Sequence, residues 1–215
     1  MEVMHEPLDV ARLTAGQPFC AGVVIVEDGR LLVTLNTDWL PAELDGTAWR
    51  VGGVGGGQEP GETISECALR EAREELCAEV ARIPADTTYY HDLDTGELAP
   101  VRCVDLVPPL LFQRRRNAQP EVPFRPGLPA GPYTYLALYL ATLPNPAVIQ
   151  PGDDVEGLLY VPLTEWDLLT TMPTLQDALR CGARLIERQP LDRGRRLYLR
   201  DDESATVVAS LLRQR

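Results

Sequence analysis

Apolar positions along the chain gather into short runs broken by turn residues, and one segment changes to a helical period. The runs 21–26 and 31–35 have strand length and are joined by Glu27-Asp28-Gly29-Arg30, a hairpin signature. Further strands are predicted at 78–82, 87–93, 98–107, 133–142 and 157–161, with Asp94-Thr95-Gly96 turning between 87–93 and 98–107. Ile64, Ala68, Ala72 and Leu76 recur every fourth residue and, with Cys67 and Leu69, form an apolar stripe able to pack on a sheet. Thr63 followed by Glu66 is a capping-box pattern and Pro60-Gly61 prevents an earlier start, so this helix begins near Ile64. Helix signals return at 175–187, where Leu175, Ala178, Leu179 and Ala183 share a face, and more weakly at 204–212. Hairpins mixed with helical crossovers predict an α/β fold, a mixed β-sheet between helices.

Composition narrows the setting. At 215 residues with 45% hydrophobic content, the chain is long enough for one domain with a proper core. No stretch approaches the roughly 18 apolar residues that cross a membrane. The acidic start MEVMHEPLDVARL lacks the layout of a signal peptide, which predicts a cytoplasmic protein with no membrane partner. Cys20, Cys67, Cys77, Cys103 and Cys181 are odd in number and scattered, as expected of buried free thiols. All 20 basic residues are arginine, against 32 acidic residues and a net charge of −12. That balance excludes a general nucleic-acid surface, yet a small phosphorylated ligand stays compatible because a metal ion reverses the local sign. Of the two histidines, His5 is expected in a loose N-terminus and His91 in a strand or turn, and neither is expected to carry catalysis.

The chemistry concentrates in GGQEPGETISECALREAREELCA, from Gly56 to Ala78. Glu71, Glu74 and Glu75 lie off the apolar stripe and are neighbours on the helix at separations of three and four, where like charges destabilise unless a cation binds. Their carboxylates suit a hard divalent cation, Mg2+ first and Mn2+ as its substitute, since magnesium takes oxygen ligands and bridges protein carboxylates to phosphates. Upstream, Gly52-Gly53-Val54-Gly55-Gly56-Gly57 follows a short strand from Trp49 and reads as a loop where the backbone bends tightly or approaches a ligand.

The spacing Gly56, Glu62, Arg70-Glu71, Glu74-Glu75 resembles the Nudix box, G-x5-E-x7-R-E-U-x-E-E-x-G-U. Every acidic and basic position matches, and Ala72 and Ala78 stand in apolar places. Cys77 stands where the family has glycine, in a left-handed position that costs another residue about 1 kcal/mol. Val54 stands where the family often has proline. The resemblance implies a Nudix-type α/β/α sandwich and a hydrolase that cleaves the pyrophosphate linkage of a nucleoside diphosphate bonded to another moiety. It implies that Glu71, Glu74, Glu75 and the Gly55 carbonyl hold the metal, and that Arg70 pairs with a box carboxylate. Glu62 either orients the box or reaches the metal through water. Glu71 and Glu75 compete with the acids of 150–156, among them Asp153, Asp154 and Glu156, for the role of general base. The competing class is a nucleotide-sensing binding protein on the same fold without turnover, and an isomerase is the third.

Outside the box, residues 107–132 are proline-rich and predict a long connecting loop bearing Arg114, Arg115, Arg116 and Arg125. This loop is either surface decoration or the carrier of a phosphate clamp through Arg114 and Arg115, with Glu156 of the later loop beside the substrate. The organisation expected is an N-terminal segment 1–18, a Nudix domain 19–174, and a helical extension 175–215 that covers the sheet or makes a homodimer contact. No short motif names the substrate.

Overall fold

The computed structural model describes residues 7–144 and 149–214; the expectation for His5 lies outside them. In order the elements are α1 (Val10–Thr14), β1 (Phe19–Glu27), β2 (Arg30–Asn36), β3 (Ala48–Gly52), β4 (Val54–Gly57), α2 (Ile64–Leu76), β5 (Ala81–Arg82), β6 (Thr88–Asp92), β7 (Glu97–Val101), β8 (Leu111–Arg116), β9 (Tyr133–Thr142), β10 (Gly157–Pro162), α3 (Leu175–Arg180), β11 (Arg184–Glu187), β12 (Arg196–Leu199) and α4 (Ser204–Arg213). The chain is of the α/β class with mixed strand pairing, as its sequence predicts. Among the described residues no helix is long and apolar enough to cross a membrane.

Chain contacts divide these elements into two interleaved units. The first holds the chain up to Val23, Gly55–Glu71 and Val80–Thr142. Its strands run in the order β1-β9-β8-β6-β7, with β4 on β1 and β5 on β9. β6 and β8 are parallel, while β8 with β9 and β6 with β7 are antiparallel. The second unit holds Val24–Val54, Ala72–Glu79 and the chain from Leu143 onward. There β11-β10-β2-β1 run side by side, and β2 also pairs β3, which carries β12 in parallel.

Local chemistry accounts for the elements that read well from sequence. In the β1–β2 hairpin Glu27 faces Arg30, and the two turn residues Asp28 and Gly29 have φ of 50° and 71°. Two left-handed residues make the turn twist with the strands, and Asp-Gly supplies them at low cost. α2 begins where its cap dictates: the Glu66 N–H donates to the Thr63 hydroxyl at 3.3 Å, and the Thr63 N–H donates back to the Glu66 carboxylate at 2.9 Å. Its stripe of Ile64, Cys67, Ala68, Ala72 and Leu76 is 3% exposed or less.

Several sequence expectations change. The glycine run 52–57, expected as a loop, is mostly strand, the end of β3 and all of β4, because its backbone pairs in the sheet. The 107–132 stretch is not all loop, because Leu111–Arg116 pairs along β9 from Leu111 opposite Leu138 to Arg116 opposite Tyr133. Leu111, Phe112 and Gln113 are buried there, and burial in a sheet outweighs the surrounding prolines. Helix 175–187 stops at Arg180; Gly182 takes φ 91°, and Arg184–Glu187 becomes an edge strand on β10. The strands expected at 78–82 and 98–107 shrink to Ala81–Arg82 and Glu97–Val101. All five cysteines are free, but Cys77 and Cys181 are exposed rather than buried. His91 lies in β6 and its ring shares a hydrogen bond with Gln113 at 2.8 Å.

Leu76 is fully buried at the last turn of α2. Replacing it with alanine is expected to lower stability by about 2–5 kcal/mol, read as a shifted midpoint in urea denaturation.

Candidate active site

The glycine run leads from β3 through β4 into the loop before α2. Gly55 has φ 149°, and a Cβ there would lie 2.5 Å from the Ala21 carbonyl oxygen and from the Gly22 Cα. Backbone conformation and contact with β1 both require glycine. At Gly56 a Cβ would lie 2.5 Å from a Glu71 carboxylate oxygen, so the missing side chain makes the space in which that carboxylate rests. One turn further, the Gln58 side-chain oxygen accepts the Phe19 N–H at 2.5 Å and ties the loop to the start of β1.

Arg70 binds the loop to the helix. Its Nε and Nη2 donate to the two Glu62 oxygens at 2.9 and 3.0 Å, Nη1 donates to Glu71 at 2.8 Å, and Nη2 also donates to the Gly57 carbonyl at 2.8 Å. The guanidinium is 18% exposed and the Glu62 side chain 11%, so this ion pair is little screened by water. Burial pushes the Glu62 carboxyl up, but hydrogen bonds from Arg70 and from the Glu59 N–H outweigh it and hold the group below its ordinary value. The same hydrogen bonding to Glu62, joined by Glu71, raises Arg70 despite its burial. Beneath them burial pushes the Cys67 thiol up, and its Sγ lies 3.7 Å from the Gly56 carbonyl.

The glutamates sit on α2 at three- and four-residue spacing: Glu71 and Glu75 are half-buried and Glu74 is exposed. Among the described residues no three His, Cys, Asp or Glu side chains are gathered into a ready-made metal cluster. Glu71 is turned toward Arg70 and Gly56.

Beyond Leu76 the helix ends against the 150–156 loop, in the second unit. The Gln150 N–H donates to the Leu76 carbonyl at 3.0 Å and the Gly152 N–H to the Glu75 carbonyl at 2.8 Å. A Cβ on Gly152 would lie 1.8 Å from the Glu74 carbonyl oxygen, so only glycine fits there. Orphan carbonyls of a helix end are thus met from a distant loop. Cys77 adopts φ 49°, the left-handed position expected for the missing glycine. Its Sγ accepts from Arg188 at 3.1 Å, and Arg188 is also paired with Asp153 at 2.8 Å.

The remaining residues singled out in the sequence lie elsewhere. Strand alternation puts Arg114 and Arg115 on opposite faces of β8. Arg114 is bound to the buried Asp92 and lies 4.5 Å from the Tyr133 ring centroid. The Glu156 N–H donates to the Leu35 carbonyl at 2.9 Å, which pins that end of the loop. Sequence reasoning missed Gly152, and it missed Glu203, whose carboxylate accepts the Gly53 N–H at 3.4 Å. Burial pushes Glu203 up, against Arg50, the Gly53 N–H and Arg200. Nothing local signals either contact, since the partners are about 75 and 150 residues apart.

Cys77→Gly is expected to raise stability by about 1 kcal/mol, because the left-handed position then carries no Cβ; thermal denaturation checks this. Glu62→Gln is expected to cost roughly 1–3 kcal/mol at neutral pH. Because Glu62 is lowered in the fold, its contribution is full above the ordinary glutamate value of about 4.3 and is lost as pH falls through the lowered one. Urea midpoints of the two proteins should therefore converge in acid.

Residues 17–178 match the family model described as NUDIX domain. No curated protein matches the chain. Among solved structures, a NUDIX-family hydrolase from Clostridium perfringens is 14% identical, with 93% of this chain and 99% of that one covered and a TM-score of 0.44. A NUDIX hydrolase from Nitrosomonas europaea is 13% identical over 77% of this chain and 85% of that one, with a TM-score of 0.39. An ADP-ribose pyrophosphatase from Streptococcus suis is 9% identical over 92% of each chain, with a TM-score of 0.39. Since the family match spans most of the chain and includes the glycine loop, α2 and its glutamates, the chain belongs to the NUDIX domain family and is a pyrophosphohydrolase.

Proposed function

We propose that this enzyme is a magnesium-dependent hydrolase that cleaves the pyrophosphate linkage of a nucleoside diphosphate joined to another moiety. The observation that carries the reading is the Arg70 fork, which fixes Glu62, Glu71 and the Gly57 carbonyl in one arrangement beside the glycine cradle. Glu71, Glu74, Glu75 and the Gly55 carbonyl would hold the cation. The fit is chemical: all are oxygen donors, and the absent side chain at Gly56 leaves room for the Glu71 carboxylate. Bound there, magnesium offsets the charge of the diphosphate and lowers the pKa of a water.

The protein groups divide the remaining work. Arg70 orients Glu71 through the hydrogen bond from Nη1, and we assign Glu71 to the cation. Glu75 is the base we favour, ahead of Asp154 and Glu156, and Asp153 is engaged by Arg188. The Gly152 contact on the Glu74 and Glu75 carbonyls holds the backbone that carries them. On β8 Arg115 is the candidate phosphate contact, for which its guanidinium fork is suited, and Arg114 is held by Asp92. With a net charge of −12 the substrate is a small nucleotide rather than a polymer. We place the protein in the cytoplasm and leave the C-terminal segment as the surface for a homodimer.

Glu75→Gln is expected to reduce turnover by about 10²-fold or more while the fold is retained. Nucleoside monophosphate release is measured with magnesium on ADP-ribose, NADH, nucleotide sugars and dinucleoside polyphosphates, with circular dichroism alongside. A folded Glu75→Gln enzyme of full activity would overturn the assignment.

A further inference from the structure

The first unit contains a cavity of about 840 Å³ that the hydrolytic reading does not use. Its size falls within the range of small-molecule sites. Phe19, Ile64, Val107, Leu128 and Pro129 supply an apolar wall. At its edge the apolar side chain of Leu106 is 94% exposed.

The polar groups of the cavity are unbalanced toward donors. Arg82 lines it, and among the described residues its guanidinium makes no ion pair or hydrogen bond; it lies 4.8 Å from the Tyr139 ring centroid. Tyr139 also lines it, is 3% exposed, and has no hydrogen-bond partner for its hydroxyl among the described residues. Burial pushes that phenol up, so it stays a protonated donor at neutral pH. Ile64 and Ser65 open the thirteen-residue α2 on the same wall, where first-turn N–H groups lack helical acceptors and the dipole favours negative charge.

The two carboxylates on the lining are already satisfied. Glu62 is bound by Arg70, and Asp105 accepts the Val10 and Ala11 N–H groups at 2.8 and 3.1 Å and the Cys103 thiol at 3.1 Å. Around one space a cation and a phenol hydroxyl therefore lie without a protein acceptor among the described residues, beside the start of a helix.

We infer that this cavity is a binding site for an organic anion, a carboxylate or phosphate group on an apolar body. The anionic head meets Arg82, the Tyr139 hydroxyl and the start of α2, and the body covers the wall and Leu106. This inference is independent of the metal-dependent reading.

Isothermal titration calorimetry in EDTA, which removes metal-mediated phosphate binding, tests it with three probes: 4-phenylbutyrate, phenyl phosphate and the neutral 4-phenylbutyramide. At least one anion is expected to bind, and the amide about 10-fold more weakly or not at all. Which anion binds distinguishes carboxylate from phosphate recognition. Arg82→Gln is expected to weaken binding roughly 10-fold, and Tyr139→Phe, which removes one oxygen and keeps the ring, several-fold. If Arg82→Gln does not fold, Tyr139→Phe decides. Absence of binding by both anions, an equal affinity for the amide, or unchanged affinity in the folded variants overturns the proposal.

Discussion

The Arg70 guanidinium is joined at once to both oxygens of Glu62, to Glu71 and to the Gly57 carbonyl. A planar fork of five N–H donors can hold several acceptors in fixed directions, which a lysine ammonium cannot. The loop before α2 thereby acquires a fixed shape, and a helix whose acidic residues would repel one another gains a cation within its own sequence.

Glycines act with that ion pair by what they omit. Gly55 lets β4 pass against β1, Gly56 leaves room for the Glu71 carboxylate, and Gly152 lets the 150–156 loop reach the backbone of Glu74 and Glu75. At the one place where the box departs from its pattern, Cys77 accepts a left-handed backbone. Arg188 and the 150–152 backbone brace that turn with contacts absent from the box itself. The departure costs conformational energy without altering the path of the chain.

Donors and acceptors are distributed unequally in the first unit. Around Arg70 the guanidinium has its carboxylates, and the Glu62 carboxyl is held below its ordinary value. In the cavity near Tyr139 the carboxylates are used up by backbone N–H groups and Arg70, and Arg82 and the phenol are left to a ligand. The two regions meet at Glu62, which lines the cavity while its oxygens serve the box.

By itself the sequence determined what rests on short-range physics. Asp28-Gly29 set the hairpin, Thr63 and Glu66 set the start of α2, and the four-residue stripe set which helix face is buried. These depend on residues within a few positions of each other, and their energies do not wait for the rest of the chain. Tertiary structure alone decided that 111–116 and 184–187 are strands, since their partners on β9 and β10 lie between 17 and 30 residues away and pairing outweighs local propensity. It also decided the capping of α2 by Gly152, the Glu203 contact to Gly53 and the donor-rich cavity. In each case the determining groups are brought together only by the folded path of the chain, and no local pattern encodes that path.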